Sequence, residues 1–353
     1  MAETTNSSKT YDLLKILNKI LEDKSYSEIA KIINVANGTV KRWKDLKKVP
    51  KSYTFELLKI ANIEIDYSIF SYKEKDQFYT PDSTSKYCLS KFINIIAEYN
   101  DSEKNYTFIE PSAGNGVFLK NLPSDRRIGL DIEPKFSEIK KQDFLEWEPI
   151  EKKKYVVIGN PPFGLRGQLA LKFINHSSKF SDYVCFILPQ LFESDGKGVP
   201  RKRVEGLNLI HSEKLDTSFE SPKSKLIRVQ CIFQIWSKFH TNIKYNIKEI
   251  NTSIIKIYSL SDGGTSSTTR NKKMFNKCHC YIPSTCFGKE NMKAYDTFEL
   301  LPKKKGYGIV FIQNKETNLK LFKTIDWSKV AFLSTNSAYN IRTSQIVEAF
   351  NQL

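Results

Sequence analysis

The segment around Asn160 combines residue types that can hold a planar ring carrying an amine. Asn160, Pro161 and Pro162 follow the apolar run 155–159 and precede Phe163. The run predicts a buried strand, and the two prolines prevent its continuation. Asn160 is therefore expected at the carboxyl end of a strand, on a loop stiffened by two fixed φ angles. Its amide could bind an exocyclic amine while Phe163 contacts the ring. An ordinary turn rich in Asn and Pro is the alternative interpretation.

The residues ahead of this segment indicate what lies beside the amide. A strand that ends near Ile109 leads into the turn 110–118, where Gly114 and Gly116 let the backbone bend sharply and approach a ligand. A second strand ends in Asp131, whose carboxylate could accept two hydroxyl hydrogen bonds from a ribose. A glycine-rich turn or a carboxylate is weak evidence when taken alone.

A further acidic residue and an aromatic residue complete the pattern. Asp143 could accept a hydrogen bond from an exocyclic amine, and Phe144 could face an adenine ring. The order is specific: glycine turn, diol-binding carboxylate, second acidic residue, then Asn-Pro-Pro-aromatic. This order is much harder to ascribe to chance than any one of its members.

Alternating strands and helices across residues 71–238 must position these side chains. The alternation predicts an α/β fold with a mostly parallel, doubly wound sheet, in which ligands bind beyond the carboxyl ends of the strands. The predicted strands are 107–109, 127–130, 155–158, 183–188 and 229–236.

Over about residues 76–236 the chain resembles the N6-adenine DNA methyltransferases, with the gamma motif order, in which cofactor motifs precede the catalytic one. The resemblance implies a Rossmann-like methyltransferase sheet and S-adenosyl-L-methionine as the cofactor. The implied cofactor-binding residues are Tyr79, Thr80, Pro81, Glu110, Ala113, Gly114, Asp131, Ile132, Asp143, Phe144 and Asn160.

The resemblance also implies a catalytic role for Asn160, Pro161, Pro162 and Phe163. The Asn160 oxygen and the Pro161 carbonyl would each accept one N6 hydrogen, and Phe163 would stack on the adenine. Phe219 would contact the other face of the base. Because N6 is inaccessible in a duplex, the adenine would have to flip out of the helix.

Residues 1–70 have a helical pattern that resembles a Cro/repressor-type helix-turn-helix domain. Ser27 is the expected N-cap of its first motif helix, and residues 34–38 form the expected turn. The second motif helix would present DNA-binding residues, which are Asn37, Thr39, Lys41 and Arg42. A helical bundle that contacts protein or simply packs is the alternative. The domain could add target affinity or regulate its own gene.

Composition favours a nucleic-acid partner. Lys and Arg number 55 against 39 Asp and Glu, which gives a net charge of +16, although an AT-rich genome also produces Lys-rich chains. We expect double-stranded DNA as the partner and residues 239–353 as a mixed α+β target-recognition region. No apolar stretch approaches membrane length and the polar start is no signal peptide, so a cytoplasmic protein is expected.

Several alternatives remain open at this stage. The same catalytic motif serves methylation of RNA adenine and of protein glutamine, and a DNA-binding regulator with an inactive methyltransferase fold is also compatible. Cys278, Cys280 and Cys286 lack paired metal-ligand spacing, so no metal is expected. There is little room for a nuclease domain, so a methylation-only enzyme is preferred. A monomer is favoured.

Overall fold

The computed structural model describes residues 11–194, 199–222, 225–245, 254–265, 268–333 and 337–352. The chain divides into two compact units, Met1–Gln77 and Phe78–Leu353. The boundaries predicted at 70/71 and 238/239 stay predictions.

The first unit is helical. Its helices are α1 (Leu13–Asp23), α2 (Tyr26–Ile32), α3 (Asn37–Asp45) and α4 (Thr54–Ile60). Its core includes Ala30 of α2 and Val40 and Trp43 of α3, all buried. The helix-turn-helix assignment and its DNA binding stay predictions.

The start of α2 differs from the sequence prediction. The N-cap is Ser25, because its hydroxyl oxygen accepts a hydrogen bond from the Glu28 N–H at 3.2 Å. The Glu28 carboxylate accepts the Ser25 N–H in return at 2.8 Å, which completes a capping box. Ser27 lies inside the first turn of the helix. In the following turn Asn34 takes the left-handed conformation, with φ of 55°, while Gly38 belongs to α3.

The second unit is built on a large mixed sheet. The strands of its first part are β1 (Thr107–Glu110), β2 (Arg127–Asp131), β3 (Ile139–Lys141), β4 (Tyr155–Gly159), β5 (Tyr183–Pro189), β6 (Asn208–Leu215), β7 (Ser218–Glu220), β8 (Leu226–Arg228) and β9 (Cys231–Ser237). Seven of these strands pair in the order β3-β2-β1-β4-β5-β9-β6, and β7 pairs with β8.

Within the seven-stranded sheet only β9 runs against the others. β3, β2, β1, β4 and β5 are mutually parallel, and β9 is antiparallel to both β5 and β6. The β3-β2-β1-β4-β5 part has the order of a doubly wound sheet. The prediction of a mostly parallel, Rossmann-like sheet is therefore confirmed.

Helices cover both faces of this sheet. They are α5 (Asp82–Ala97), α6 (Val117–Asn121) and α7 (Gln168–Ser177). Val156 and Ile158 of β4 share a core with Phe92 of α5, whereas Val157 shares the opposite core with Phe173 of α7. Because β4 is buried on both faces, it is apolar at every position instead of alternating.

The C-terminal part contains smaller sheets with their own core. Its strands are β10 (Ile255–Ser261), β11 (Cys280–Pro283), β12 (Thr285–Phe287), β13 (Lys305–Phe311), β14 (Phe332–Leu333) and β15 (Ala338–Asn340). Its helices are α8 (Lys315–Thr324), α9 (Trp327–Val330) and α10 (Thr343–Asn351). β10 and β13 pair antiparallel. Among the described residues, no helix combines the length and apolar character needed to cross a membrane.

Candidate functional site

Polar residues lie at the carboxyl ends of three neighbouring strands, at one edge of the large sheet. Glu110 ends β1, Asp131 ends β2, and Asn160 directly follows β4. Because β1, β2 and β4 are adjacent and parallel, these residues lie at the same carboxyl edge. This is the edge where sequence analysis placed the site.

The glycine turn after β1 approaches the segment ahead of α5 closely. Gly114 has a φ of +49°, and a Cβ atom there would lie 3.3 Å from Cε1 of the Tyr79 ring. A side chain at this position would therefore meet both backbone strain and the tyrosine. Ala113 beside it is buried, and its N–H donates to the Leu130 carbonyl of β2 at 2.9 Å.

Asp131 is held by backbone donors on both sides. One carboxylate oxygen accepts the Gly114 N–H and the other accepts the Glu133 N–H, both at 2.7 Å. Burial nevertheless raises the pKa of Asp131, and these two hydrogen bonds oppose the rise. Each oxygen keeps a further lone pair that can accept a hydroxyl.

Glu110, one of the predicted cofactor-binding residues, is deeply buried. Its side chain is 2 % exposed, and one carboxylate oxygen accepts the Leu119 N–H at the start of α6 at 2.6 Å. Burial raises the pKa of Glu110 well above its ordinary value. The carboxylate fastens α6 to the end of β1, and its contact with a cofactor stays a prediction.

The Asn160 amide is fixed at one end and unsatisfied at the other. Its Nδ2 donates to the Phe78 carbonyl at 3.4 Å, and its backbone carbonyl accepts the Ser112 hydroxyl at 3.1 Å. Its Oδ1 is buried and has no hydrogen-bond partner among the described residues. A buried acceptor without a donor costs about 1–3 kcal/mol, so this oxygen favours a ligand N–H.

The loop that follows Asn160 is packed and bonded to α7. Pro161 is buried, while Pro162 and Phe163 are half-buried. The Phe163 carbonyl accepts the N–H groups of Leu169 and Ala170, at 3.1 and 3.3 Å. Phe163 also packs against the cores on both faces of the sheet. The loop is therefore positioned by the fold.

The segment 78–81 is positioned by strand-like pairing. Tyr79 and Glu220 exchange backbone hydrogen bonds of 2.7 and 2.9 Å. Thr80 is buried, and Pro81 is the N-cap of α5. Burial, together with the nearby carboxylates of Asp131 and Glu133, raises the pKa of Tyr79. The tyrosine thus lies beside the carboxylate predicted to bind ribose.

The residues expected around the adenine of the cofactor form the next part of this edge. The Gln142 N–H donates to the Asp131 carbonyl at 2.9 Å, which ties the end of β3 to that of β2. Asp143 accepts the Leu145 N–H at 3.0 Å, and Ile132 is half-buried.

Phe144 and Phe219, the two rings predicted to contact adenine, lie in hydrophobic cores. Phe144 is 1 % exposed and its ring packs against Phe173 and His176 of α7, with centroids 5.1 and 5.0 Å apart. Phe219 is 2 % exposed and belongs to the core that includes α5. Neither ring offers a free face in this structure, because each fills a core space. Contact with adenine through either ring requires local rearrangement.

The predicted DNA-binding residues of the first unit lie on α3. Asn37, Lys41 and Arg42 are exposed and Thr39 is half-buried, while Val40 between them faces the core. For metal ions, no three His, Cys, Asp or Glu side chains are grouped as ligands within the part of the chain that the structure describes. Cys280 and Cys286 are buried thiols.

Sequence reasoning missed the groups that hold Asn160. Ser112 lies inside the glycine turn, but nothing in its type showed that its hydroxyl reaches the Asn160 carbonyl. The Phe78 carbonyl is a backbone group and leaves no signal in residue type. The segment that carries Phe78 is itself held by the pairing of Tyr79 with Glu220 of β7.

No protein-family model and no curated protein matches this chain. A solved Pyrococcus horikoshii structure, provisionally described as an RNA methyltransferase, is 20 % identical with a TM-score of 0.35; the match covers 46 % of this chain and 86 % of that one. A Thermoplasma acidophilum structure is 18 % identical with a TM-score of 0.32, over 44 % and 86 %.

A third structure, from work on conversion of a disulfide bond into a thioacetal group in echinomycin biosynthesis, is 12 % identical with a TM-score of 0.30. That match covers 38 % of this chain and 75 % of that one. Similarities of this extent assign no substrate to the chain.

Proposed function

We propose that this chain is a site-specific DNA methyltransferase that transfers a methyl group from S-adenosylmethionine to N6 of a flipped-out adenine. The single observation that carries the proposal is the buried, unpartnered Oδ1 of Asn160 at the carboxyl edge of β4. An amide oxygen held ready at a strand end, next to a half-buried aromatic ring, suits an exocyclic amine on a planar base.

The residues beside Asn160 fit the cofactor. Gly114 lets the backbone come close to Tyr79, and the Asp131 carboxylate lies at the end of the next strand with lone pairs available for a ribose diol. When bound, S-adenosylmethionine supplies an electrophilic methyl group. Tyr79, Gly114, Asp131 and Asp143 would hold it.

The chemistry of the amine follows from the acceptors. The lone pair of N6 is delocalised into the adenine ring, so the nitrogen is a poor nucleophile. Asn160 Oδ1 and the Pro161 carbonyl each accept one N6 hydrogen, which draws the nitrogen toward tetrahedral geometry and frees its lone pair. Phe163 stacks on the ring and fixes its plane. Positioning and electrostatics, not a strong base, then favour transfer. The methylated nitrogen would carry a positive charge and would lose its extra proton to solvent after transfer.

The Phe78 carbonyl gives the amide its direction. Because Nδ2 donates to Phe78, Oδ1 must face the opposite way, as an acceptor. Since Oδ1 is covered in this structure, binding a base requires the covering side chains to move aside. The energetic cost of the unsatisfied oxygen is relieved when the N6 hydrogen arrives.

Charge supports nucleic acid as the source of the adenine. The net charge of +16 attracts polyanions, and exposed Lys41 and Arg42 on α3 suit phosphates. The helix-turn-helix predicted for the first unit would favour double-stranded DNA over RNA or a protein glutamine.

Incubation with methyl-labelled S-adenosylmethionine tests the proposal. Duplex DNA, RNA and protein extract are tested in parallel as methyl acceptors. Each is then digested to nucleosides or amino acids. We expect label in DNA as N6-methyladenine, and sequencing of the modified adenines then gives the recognition site. Label confined to RNA or to protein would contradict the proposed substrate. Absence of label from all three would support the inactive regulator.

A further inference from the structure

The four residues after Phe163 have an unusual backbone. Gly164, Arg166 and Gly167 all have positive φ angles, of 65°, 54° and 71°. Glycine adopts such angles at little cost, but arginine does not. Arg166 is exposed, and the turn directs the chain from the Asn160 loop into α7. A strained, exposed cation therefore follows the candidate catalytic segment directly.

A second basic segment packs against this turn. A 3-10 turn, Pro200–Arg203, carries three consecutive basic residues, of which Lys202 is exposed. A Cβ atom on Gly167 would lie 3.0 Å from the Phe192 ring and 3.6 Å from Pro200, so the two segments touch where Gly167 lacks a side chain.

Hydrogen bonds fix the second segment to the start of α7. The Arg203 guanidinium donates to the Gln168 side-chain oxygen at 3.1 Å, and the Asn175 amide donates to the Arg203 carbonyl at 3.0 Å. Two N–H groups in the first turn of α7, those of Leu169 and Ala170, donate to the Phe163 carbonyl. One helix thus positions both the catalytic loop and the basic turn.

Two exposed cations of these segments, Arg166 and Lys202, have no carboxylate partner among the described residues. Elsewhere on the same unit, exposed cations do pair, as Lys179 does with Glu148 at 3.2 Å. An uncompensated pair of cations beside a base-binding loop suits the phosphates of a nucleic-acid strand.

We propose that Arg166 and Lys202 bind the DNA backbone next to the flipped adenine and hold the strand while the base is at Asn160. The inference rests on the proposed function, because it takes DNA as the substrate. It adds two DNA-binding residues that lie outside both the segment Asn160–Phe163 and the predicted helix-turn-helix. These cations bind phosphate and read no sequence.

The test compares two double variants that lose the same net charge. The first is Arg166→Gln with Lys202→Gln. The control is Lys104→Gln with Lys152→Gln, two exposed lysines that precede β1 and β4 and so lie at the opposite edge of the sheet. Duplex DNA binding is measured by fluorescence anisotropy with the full chain at several salt concentrations.

Log affinity falls with log salt, and each phosphate contact contributes about 0.9 to the steepness of that fall. Loss of two contacts should therefore make the fall less steep by about 1.8. Between about 50 and 200 mM salt, the wild type should therefore lose roughly tenfold more affinity than Arg166→Gln with Lys202→Gln. The control pair should follow the wild type. Equal slopes for both pairs, in a protein that binds and methylates DNA, would overturn this inference alone. A wild type that neither binds nor methylates DNA would overturn the proposed function instead.

Discussion

The turn after β1 and the loop after β4 lie at the same edge of one sheet, yet their polar side chains are in opposite states. In the first, Glu110 already accepts a backbone hydrogen bond and Asp131 at the neighbouring strand end accepts two. In the second, the Asn160 amide is anchored through its nitrogen and its oxygen is unsatisfied. In the first region both carboxyl groups already have hydrogen-bond donors within the fold, whereas in the second the amide oxygen has none among the described residues.

This difference separates two tasks. Carboxylates bonded to backbone N–H groups keep their positions whether or not a ligand is bound, which suits a preformed cofactor site. An unsatisfied buried oxygen costs stability and is retained where it gains a partner during function. The difference is consistent with the proposed roles, in which the first region would bind the cofactor and the second would bind the reacting amine.

The largest expected effect is at Asn160. Asn160→Ala should lower the rate of methyl transfer by about a thousandfold, since one preorganised polar group at a reacting centre contributes about 10²–10³ in rate. Cofactor affinity, measured by calorimetry, should stay near that of the wild type. Substantial residual turnover would remove Asn160 from the mechanism.

Asn160→Asp provides the matched comparison. Aspartate retains an acceptor oxygen but cannot donate to the Phe78 carbonyl, so the side chain loses its anchor. Activity between those of the wild type and the alanine variant is expected.

The second-largest effect is expected at Asp131, in the region formed by the turn after β1 and the end of β2. Asp131→Asn should weaken S-adenosylmethionine binding by about tenfold to a hundredfold, because hydrogen bonds to a charged group contribute about 1.5–3 kcal/mol. The binding constant is measured by calorimetry, with the melting temperature recorded to detect loss of the Gly114 and Glu133 contacts. An unchanged binding constant in a folded variant would contradict the ribose assignment.

A smaller effect is expected where the two regions meet. Ser112 belongs to the turn after β1, but its hydroxyl donates to the Asn160 carbonyl. Ser112→Ala should lower the turnover number about fivefold, as expected for one hydrogen bond of about 1 kcal/mol. Cofactor affinity should not change. A loss of cofactor affinity without loss of turnover would place Ser112 wholly in the first region.

The smallest effect concerns stability and pH. The folded-state pKa of Glu110 is raised by burial, so its contribution to stability is complete below the unfolded-state pKa and is lost as pH rises through the raised value. Glu110→Gln, which cannot ionise, should therefore show a smaller fall in melting temperature as pH rises. The exposed Glu98→Gln serves as the control and should keep the wild-type profile. Identical profiles for all three proteins would show that the Glu110 carboxyl does not couple folding to protons.

The strands of the sheet were predictable where burial leaves a clear mark. The runs that form β4 and β5 are apolar at nearly every position because both faces of the sheet are covered. β3 was missed because only Ile139 in it is buried, and the edge strand β6 was missed because it mixes buried and polar residues. Edge strands have partners on one side only, so their sequences are less constrained.

In the candidate site, too, residue types predicted some features, whereas features that depend on the surrounding structure were not predicted. The position of Asn160 at a strand end followed from two prolines after an apolar run. That its oxygen is buried and unsatisfied depends on the Phe78 carbonyl, which residue type cannot indicate. For Phe144 and Phe219, sequence identifies an aromatic ring near the site. Only the packing shows that each ring is in a core.

The reversed direction of β9 determines where the C-terminal part leaves and rejoins the sheet. Ser237, at the end of β9, pairs with Tyr183 at the start of β5, far from the edge that carries Asn160. The chain returns to the other edge through Leu333, whose N–H donates to the Gln230 side chain just before β9 at 3.2 Å. A protein truncated after residue 238 would keep all seven strands and lose this tether. The C-terminal part therefore follows all seven strands in the chain, yet it is hydrogen-bonded to the sheet at the edge that carries Asn160.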